Sequence, residues 1–130
     1  MPSALVLDDS PVTAKLMARI CDAAGFKAAI AFDAHQAMAL LRANNIMFVL
    51  SDLDMVPVDG IEFARIIRRS AAFKATKIIL TTRHLDRLTE IRKQNRSKAL
   101  FDGFIEKPFT SRELHSCLSQ IMTLPELLPV

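Results

Sequence analysis

Residues 4–11 read Ala4-Leu5-Val6-Leu7-Asp8-Asp9-Ser10-Pro11. Four consecutive apolar residues fit a strand covered on both faces, since a half-exposed strand would alternate apolar and polar. Leu5 to Asp8 is therefore a predicted buried strand, and it ends in two carboxylates. The chain then turns at once into a helix. Ser10 suits the N-cap and Pro11 the first helical position, where a missing N–H costs nothing. A buried strand feeding a helix within a few residues is the opening of a β-α-β unit.

The same alternation continues to the end. Val12, Leu16, Ile20 and Ala24 form a helical stripe that Gly25 stops. Ala28 to Phe32 is a second strand. Asp33, with Gln36 three residues on, boxes the start of a helix whose apolar face is Ala37, Leu40 and Leu41. Ile46 to Ser51 is a third strand, closed by Asp52. Gly60 to Ser70 is helical, with Ile61, Ala64 and Ile67 inward, and Lys77 to Thr81 is the fourth strand. Leu85 to about Lys98 reads as a weaker, very basic helix, and Gly103 to Glu106 as the fifth strand. Thr110 and Glu113 box the last helix, whose stripe is Leu114, Cys117, Leu118 and Ile121, and Pro125 interrupts its continuation. Five strands alternating with five helices predict an α/β fold, a doubly wound five-stranded parallel sheet of flavodoxin-like order 2-1-3-4-5. One domain over 1–124 accounts for the pattern, with 125–130 a tail or the start of a linker.

All strands of such a sheet end on one edge, and ligands bind there, at the point where the winding reverses between the first and third strands. Those two strands end in Asp8-Asp9 and Asp52, and the fifth ends at Lys107-Pro108. Crowded carboxylates repel by about 4 kcal/mol per pair at about 4 Å and an effective dielectric of about 20. Such a cluster calls for a cation, and all-oxygen ligands suit Mg²⁺.

The composition narrows the function classes. At 130 residues and 51% apolar, the chain can bury a real core, built without Trp or Tyr. A net charge of +3 gives little electrostatic ground for nucleic acid, and no aromatic residue interleaves the basic stretch from Arg83 to Lys98. No apolar run reaches membrane-spanning length, and because Met1-Pro2-Ser3 runs straight into the first strand, no signal peptide is expected. Cys21 and Cys117 fall on apolar helix faces, while His35, His84 and His115 show no ligand spacing. Buried thiols and a cytoplasmic location are the expectation.

The motifs Leu5-Val6-Leu7-Asp8-Asp9-Ser10, Asp52-Leu53-Asp54-Met55 with Asp59-Gly60, Thr81, and Lys107-Pro108-Phe109 together resemble the receiver domain of response regulators, the CheY-like family of two-component signalling. The resemblance covers nearly the whole chain. It implies that Asp52 accepts a phosphoryl group, that Asp9 holds Mg²⁺ directly and Asp8 mainly through water, and that the backbone carbonyl of Asp54 is a further metal ligand. It also implies that Thr81 hydrogen-bonds the phosphoryl oxygens and that Lys107 ion-pairs with the phosphoryl group, or with Asp52 in its absence. Thr81 and Phe104 would form the switch. The chemistry is consistent with these roles: a cation pair offsets repulsion between a carboxylate and an anionic donor, and the product is an acyl phosphate.

Some positions depart from the family pattern. Val56 stands where proline is usual, and Pro57 follows. Asp54 adds a fourth carboxylate, expected to repel the donor or disturb an attacking water. Thr82 follows Thr81 where a small residue is common, and leaves two candidates for the switch hydroxyl, with strand alignment favouring Thr81. Phe104 lacks the hydroxyl that would draw it outward, so core packing and switching stay open. The stretch Arg83 to Lys98 is a few residues longer than usual and is either a solvated face or a docking surface for an acidic partner.

Three functions compete. The first is a signalling module, not an enzyme beyond its own phosphorylation and dephosphorylation. A sensor histidine kinase or histidine phosphotransfer domain would phosphorylate it. Its effector protein would bind the face of the fourth helix, fifth strand and fifth helix, with no nucleic acid contacted and no membrane entered. The second is a receiver-like interaction module that is never phosphorylated. The third is a haloacid-dehalogenase-like phosphatase using Asp52-Leu53-Asp54-Met55-Val56, which the N-terminal acid pair and short chain oppose.

Overall fold

The computed structural model describes residues 2–122. The tail 125–130, and with it the interruption at Pro125, lies outside the described residues. The elements are β1 (Ala4–Leu7), α1 (Pro11–Ala23), β2 (Ala28–Ala31), α2 (Ala34–Ala43), β3 (Phe48–Asp52), α3 (Gly60–Arg68), β4 (Lys77–Thr82), α4 (Leu85–Lys93), α5 (Ser97–Leu100), β5 (Gly103–Glu106) and α6 (Ser111–Ile121). A short 3₁₀ turn, Ala71–Phe73, leads into β4. The strands form one parallel sheet of order β2-β1-β3-β4-β5. This is the flavodoxin-like winding that the sequence predicts.

Strand parity divides the core. Leu5, Leu7, Val49, Ile78 and Leu80 point to one face, where Leu41, Phe63, Ile67, Leu88 and Ile91 cover them. Ala4, Val6, Phe48, Leu50, Ile79 and Ile105 point to the other, against Ala14, Met17, Cys21, Leu114 and Leu118. Both faces are buried, which is why the strands read as unbroken apolar runs.

The caps fall where the sequence puts them. Ser10 accepts from the Thr13 N–H, Asp59 from Glu62, and Thr110 and Glu113 complete a reciprocal box. At α2 the box is shifted: Asp33 accepts from the Gln36 N–H, but the Gln36 side chain reaches the Phe32 N–H instead of that of Asp33.

Two expectations need correction. The α1 stripe Val12, Leu16, Ile20 and Ala24 is buried only in its second half: Ile20 and Ala24 pack against the core, but Val12 is 80% and Leu16 52% exposed, and Thr13, Ala14, Met17 and Cys21 are the residues that face the sheet. Apolar residues occupy both stripes, so periodicity alone does not choose between them. The basic segment is also not one helix. It breaks at Gln94, whose extended backbone caps α4, and resumes as the single turn α5.

Candidate functional site

Register brings the acids together. Leu7 pairs with Ser51, and Asp52 pairs with Thr81, so the residues just past β1 and at the ends of β3 and β4 share one edge. Lys107 extends the pairing, its N–H donating to the Thr82 carbonyl at 2.8 Å. By parity Asp8, Asp52, Thr81 and Lys107 follow Val6, Leu50, Ile79 and Ile105, so all four leave the sheet on the α1–α6 side.

The Lys107 ammonium lies 2.9 Å from Asp8 Oδ2 and 2.9 Å from Asp52 Oδ1. The other Asp8 oxygen accepts from the Ser10 N–H at 2.9 Å. Asp9 is exposed at the rim, and Asp8, Asp9 and Asp52 each offer a carboxylate oxygen within 4.8 Å of the others. This all-oxygen set fits a hard divalent cation such as Mg²⁺.

One lysine between two buried carboxylates gives an uneven balance. Burial pulls Lys107 toward its neutral form, but hydrogen bonds and charge from Asp52 and Asp8 outweigh this and raise its pKa, holding it cationic. Burial raises the Asp52 pKa, the hydrogen bond and charge of Lys107 oppose this, and Asp8 adds to the rise. Lysine gains from two anions, while each anion gains from half a lysine.

Parity also separates the two threonines. Thr81 is fully buried on the Asp52 side, and its hydroxyl donates to the Ser51 carbonyl at 3.4 Å, a long contact for a hydroxyl. Thr82 points to the opposite face, where its hydroxyl donates to Asp54 Oδ2 at 2.8 Å and accepts from the His84 N–H. Asp54 also pairs with Arg87 of α4. Its charge is thus partly compensated by a contact that joins the loop after β3 to β4 and α4, which local sequence gave no means of finding. Phe104 is half-buried, packed on Phe101, with the Arg92 guanidinium 5.5 Å over its ring.

Comparison with known proteins agrees with this arrangement. Residues 4–119 match the family model of the response regulator receiver domain. This chain belongs to that family. The receiver domain is 30% identical over 121 residues to the response regulator Rre1 of Synechocystis, covering 92% of this chain and 51% of the relative. It is 31% identical over 125 residues to hybrid signal transduction histidine kinase C of Dictyostelium discoideum, covering 91% of this chain and 10% of that protein. The chain thus spans about half of one relative and a small part of the other.

Among solved structures, the receiver domain superposes on the chemotaxis protein CheY4 of Vibrio cholerae with a TM-score of 0.81 at 24% identity, covering 94% of this chain and 99% of that one. It superposes on the response regulator TrrA of Thermotoga maritima, solved in complex with Mg²⁺ and BeF, with a TM-score of 0.77 at 27% identity, covering 94% and 100%. The chain is a receiver domain of two-component signalling, a regulatory module. No helix among the described residues is long and apolar enough to cross a membrane.

Proposed function

We propose that this receiver domain is switched by transfer of a phosphoryl group to Asp52 in the presence of Mg²⁺. The observation that carries the reading is the buried Asp8–Lys107–Asp52 bridge, with Asp9 beside it at the mouth. Asp8, Asp9, Asp52 and the Asp54 carbonyl would hold the ion, which when bound supplies Lewis-acid neutralisation of phosphoryl charge. Lys107 keeps its proton and can follow the charge from the carboxylate to the phosphoryl oxygens. Thr81, weakly held on the Asp52 face, can turn its hydroxyl to the new oxygens through a charge-assisted bond. Thr81 pairs with Ile105 and leaves the sheet on the face opposite Phe104, so a signal from Thr81 to Phe104 and the α4–β5–α6 surface read by an effector protein would pass through the backbones of β4 and β5.

The phosphoryl donor is proposed to be a sensor histidine kinase or a histidine phosphotransfer domain. Among the described residues the exposed apolar side chains Val12, Phe32, Val56 and Leu85 sit at or just past strand ends on the carboxylate edge, a surface that a protein donor could cover. Free Cys21 and Cys117 accord with a reducing cytoplasm. Asp54, paired with Arg87 and hydrogen-bonded by the Thr82 hydroxyl, is a weaker electrostatic barrier to a donor than its bare charge implies.

The test is incubation with acetyl phosphate and Mg²⁺, followed by intact mass. One phosphoryl adduct, absent from Asp52→Asn and absent in EDTA, is the expected result. No adduct with either acetyl phosphate or a phosphorylated histidine phosphotransfer protein would leave an unphosphorylated interaction module as the better reading. Steady turnover of phosphate monoesters would favour a phosphatase.

A further inference from the structure

Arg83 stands at an unusual place in this pocket. The acidic cavity, about 240 Å³, is lined by Asp8, Asp9, Asp52 and Asp54, and by the cations Lys107 and Arg83. Lys107 is already divided between Asp8 and Asp52, and Arg87 is held by Asp54 on the rim. Among the described residues Arg83 is the arginine of this lining that has no carboxylate partner. Its side-chain hydrogen bond is a long one, from Nη2 to Thr13 Oγ1 at 3.4 Å. β1, with α1 after it, and β4 flank β3 on its two sides, and Thr13 and Arg83 both line the cavity that holds Asp52. Arg83 therefore already spans the mouth of the pocket, tied down by one weak bond.

We propose that Arg83 is a second cationic ligand of the phosphoryl group. The proposal rests on the reading of Asp52 as acceptor. A phosphoryl group brings close to two negative charges into a pocket where four carboxylates outnumber the lining cations. The planar guanidinium presents paired N–H donors that match two phosphoryl oxygens, which a lysine cannot do. On transfer from acetyl phosphate, an Asp52 carboxylate oxygen forms the new O–P bond, the donor's P–O bond breaks, and acetate leaves with the electron pair; from phosphoramidate the P–N bond breaks instead, and the protonated nitrogen leaves as ammonia. Arg83 swings from Thr13 to the equatorial oxygens during this step. It then stays over the acyl phosphate, covering it from water. On hydrolysis, a water oxygen bonds to phosphorus, the bond to Asp52 breaks, its electron pair returns to the carboxylate, and both protons of the water leave with phosphate as dihydrogen phosphate, which then equilibrates with solvent.

Arg83 also walls the adjoining apolar groove of about 390 Å³ between Leu16, Met17, Ile20 and Phe109.

The experiment compares wild type with Arg83→Ala, Arg83→Gln and Arg83→Lys, following adduct formation and loss by intact mass with Mg²⁺ present. Two donors are used, acetyl phosphate and the less negatively charged phosphoramidate. Thermal midpoints check that each variant is folded. Arg83→Ala and Arg83→Gln are expected to react about tenfold more slowly with acetyl phosphate, the loss of one charge-assisted contact. The deficit should be smaller with phosphoramidate, Arg83→Lys should recover part of it, and the adduct should hydrolyse faster in all three variants. A structural role would slow both donors alike. Rates equal to wild type for both donors, or equal deficits with both, would overturn the proposal while leaving Asp52 as acceptor. A wild-type protein that takes no adduct would overturn the reading of Asp52 and this proposal with it.

Discussion

At the scale of single residues, the site is built on imbalance. Folding raises the pKa of Asp52 above 3.8, chiefly by burial. A carboxyl whose pKa is raised binds protons more readily in the folded state, so its contribution to stability is greatest below about pH 3.8 and falls as pH rises through the shifted value. At pH 7 the full cost is present. In EDTA at pH 7, Asp52→Asn is therefore expected to melt higher than wild type. The gain should vanish near pH 3.5, and differential scanning calorimetry across that range reads both effects. Equal or lower midpoints at pH 7 would mean that Lys107 more than compensates burial. Ser51 makes a second case. Its hydroxyl is the buried side-chain polar atom without a partner among the described residues, in the central strand β3. Ser51→Ala removes that orphan and is expected to stabilise by about 1 kcal/mol, read from urea unfolding.

At the scale of elements, the approach of α3 to β3 sets the acceptor's backbone. Gly60 opens α3, and a Cβ there would lie 2.5 Å from the Asp52 carbonyl oxygen and 2.9 Å from Leu80 Cδ1. The backbone oxygen has no room to retreat, because β3 is held on both sides by β1 and β4. Gly60→Ala is expected to lose roughly 2–3 kcal/mol in urea unfolding, with reduced phosphorylation of Asp52 where the fold survives. Arg68 shows how α3 is anchored at the opposite edge. Its guanidinium donates to the carbonyls of Leu100 and Thr76 and pairs with Asp102 at 2.8 Å.

Elements also show what local sequence can and cannot carry. Strands were readable because burial on both faces leaves unbroken apolar runs, and helix starts because Ser10, Asp59 and Thr110 satisfy N–H groups within three residues. The buried face of α1 was not readable. Thr13-Ala14-Met17-Cys21 and Val12-Leu16-Ile20 are both apolar enough, and contact with the sheet decides between them. The break at Gln94 likewise depends on tertiary placement, with Ser97 buried and its hydroxyl donating to the carbonyls of Arg92 and Gln94.

At the scale of the whole molecule, fold and site follow from one geometric fact. A parallel sheet wound from its middle gathers strand ends at one edge, and three of those ends carry Asp8, Asp52 and Lys107. Their residue types were legible in sequence because each closes an apolar run. The residue register across the sheet was not, yet period-two alternation separates Thr81 from Thr82 once the register is known. The Asp54–Arg87–Thr82 cluster stayed hidden because its members come from three segments with no shared local pattern.

The most direct measurement is to locate the modification. Protein treated with acetyl phosphate and Mg²⁺ is reduced with borohydride, which converts an aspartyl phosphate to homoserine, and its peptides are sequenced by mass spectrometry. Homoserine at position 52 alone is the expected result. Homoserine at position 8, 9 or 54, or at no position in a protein that carries the phosphoryl mass, would contradict the assignment of Asp52 as acceptor.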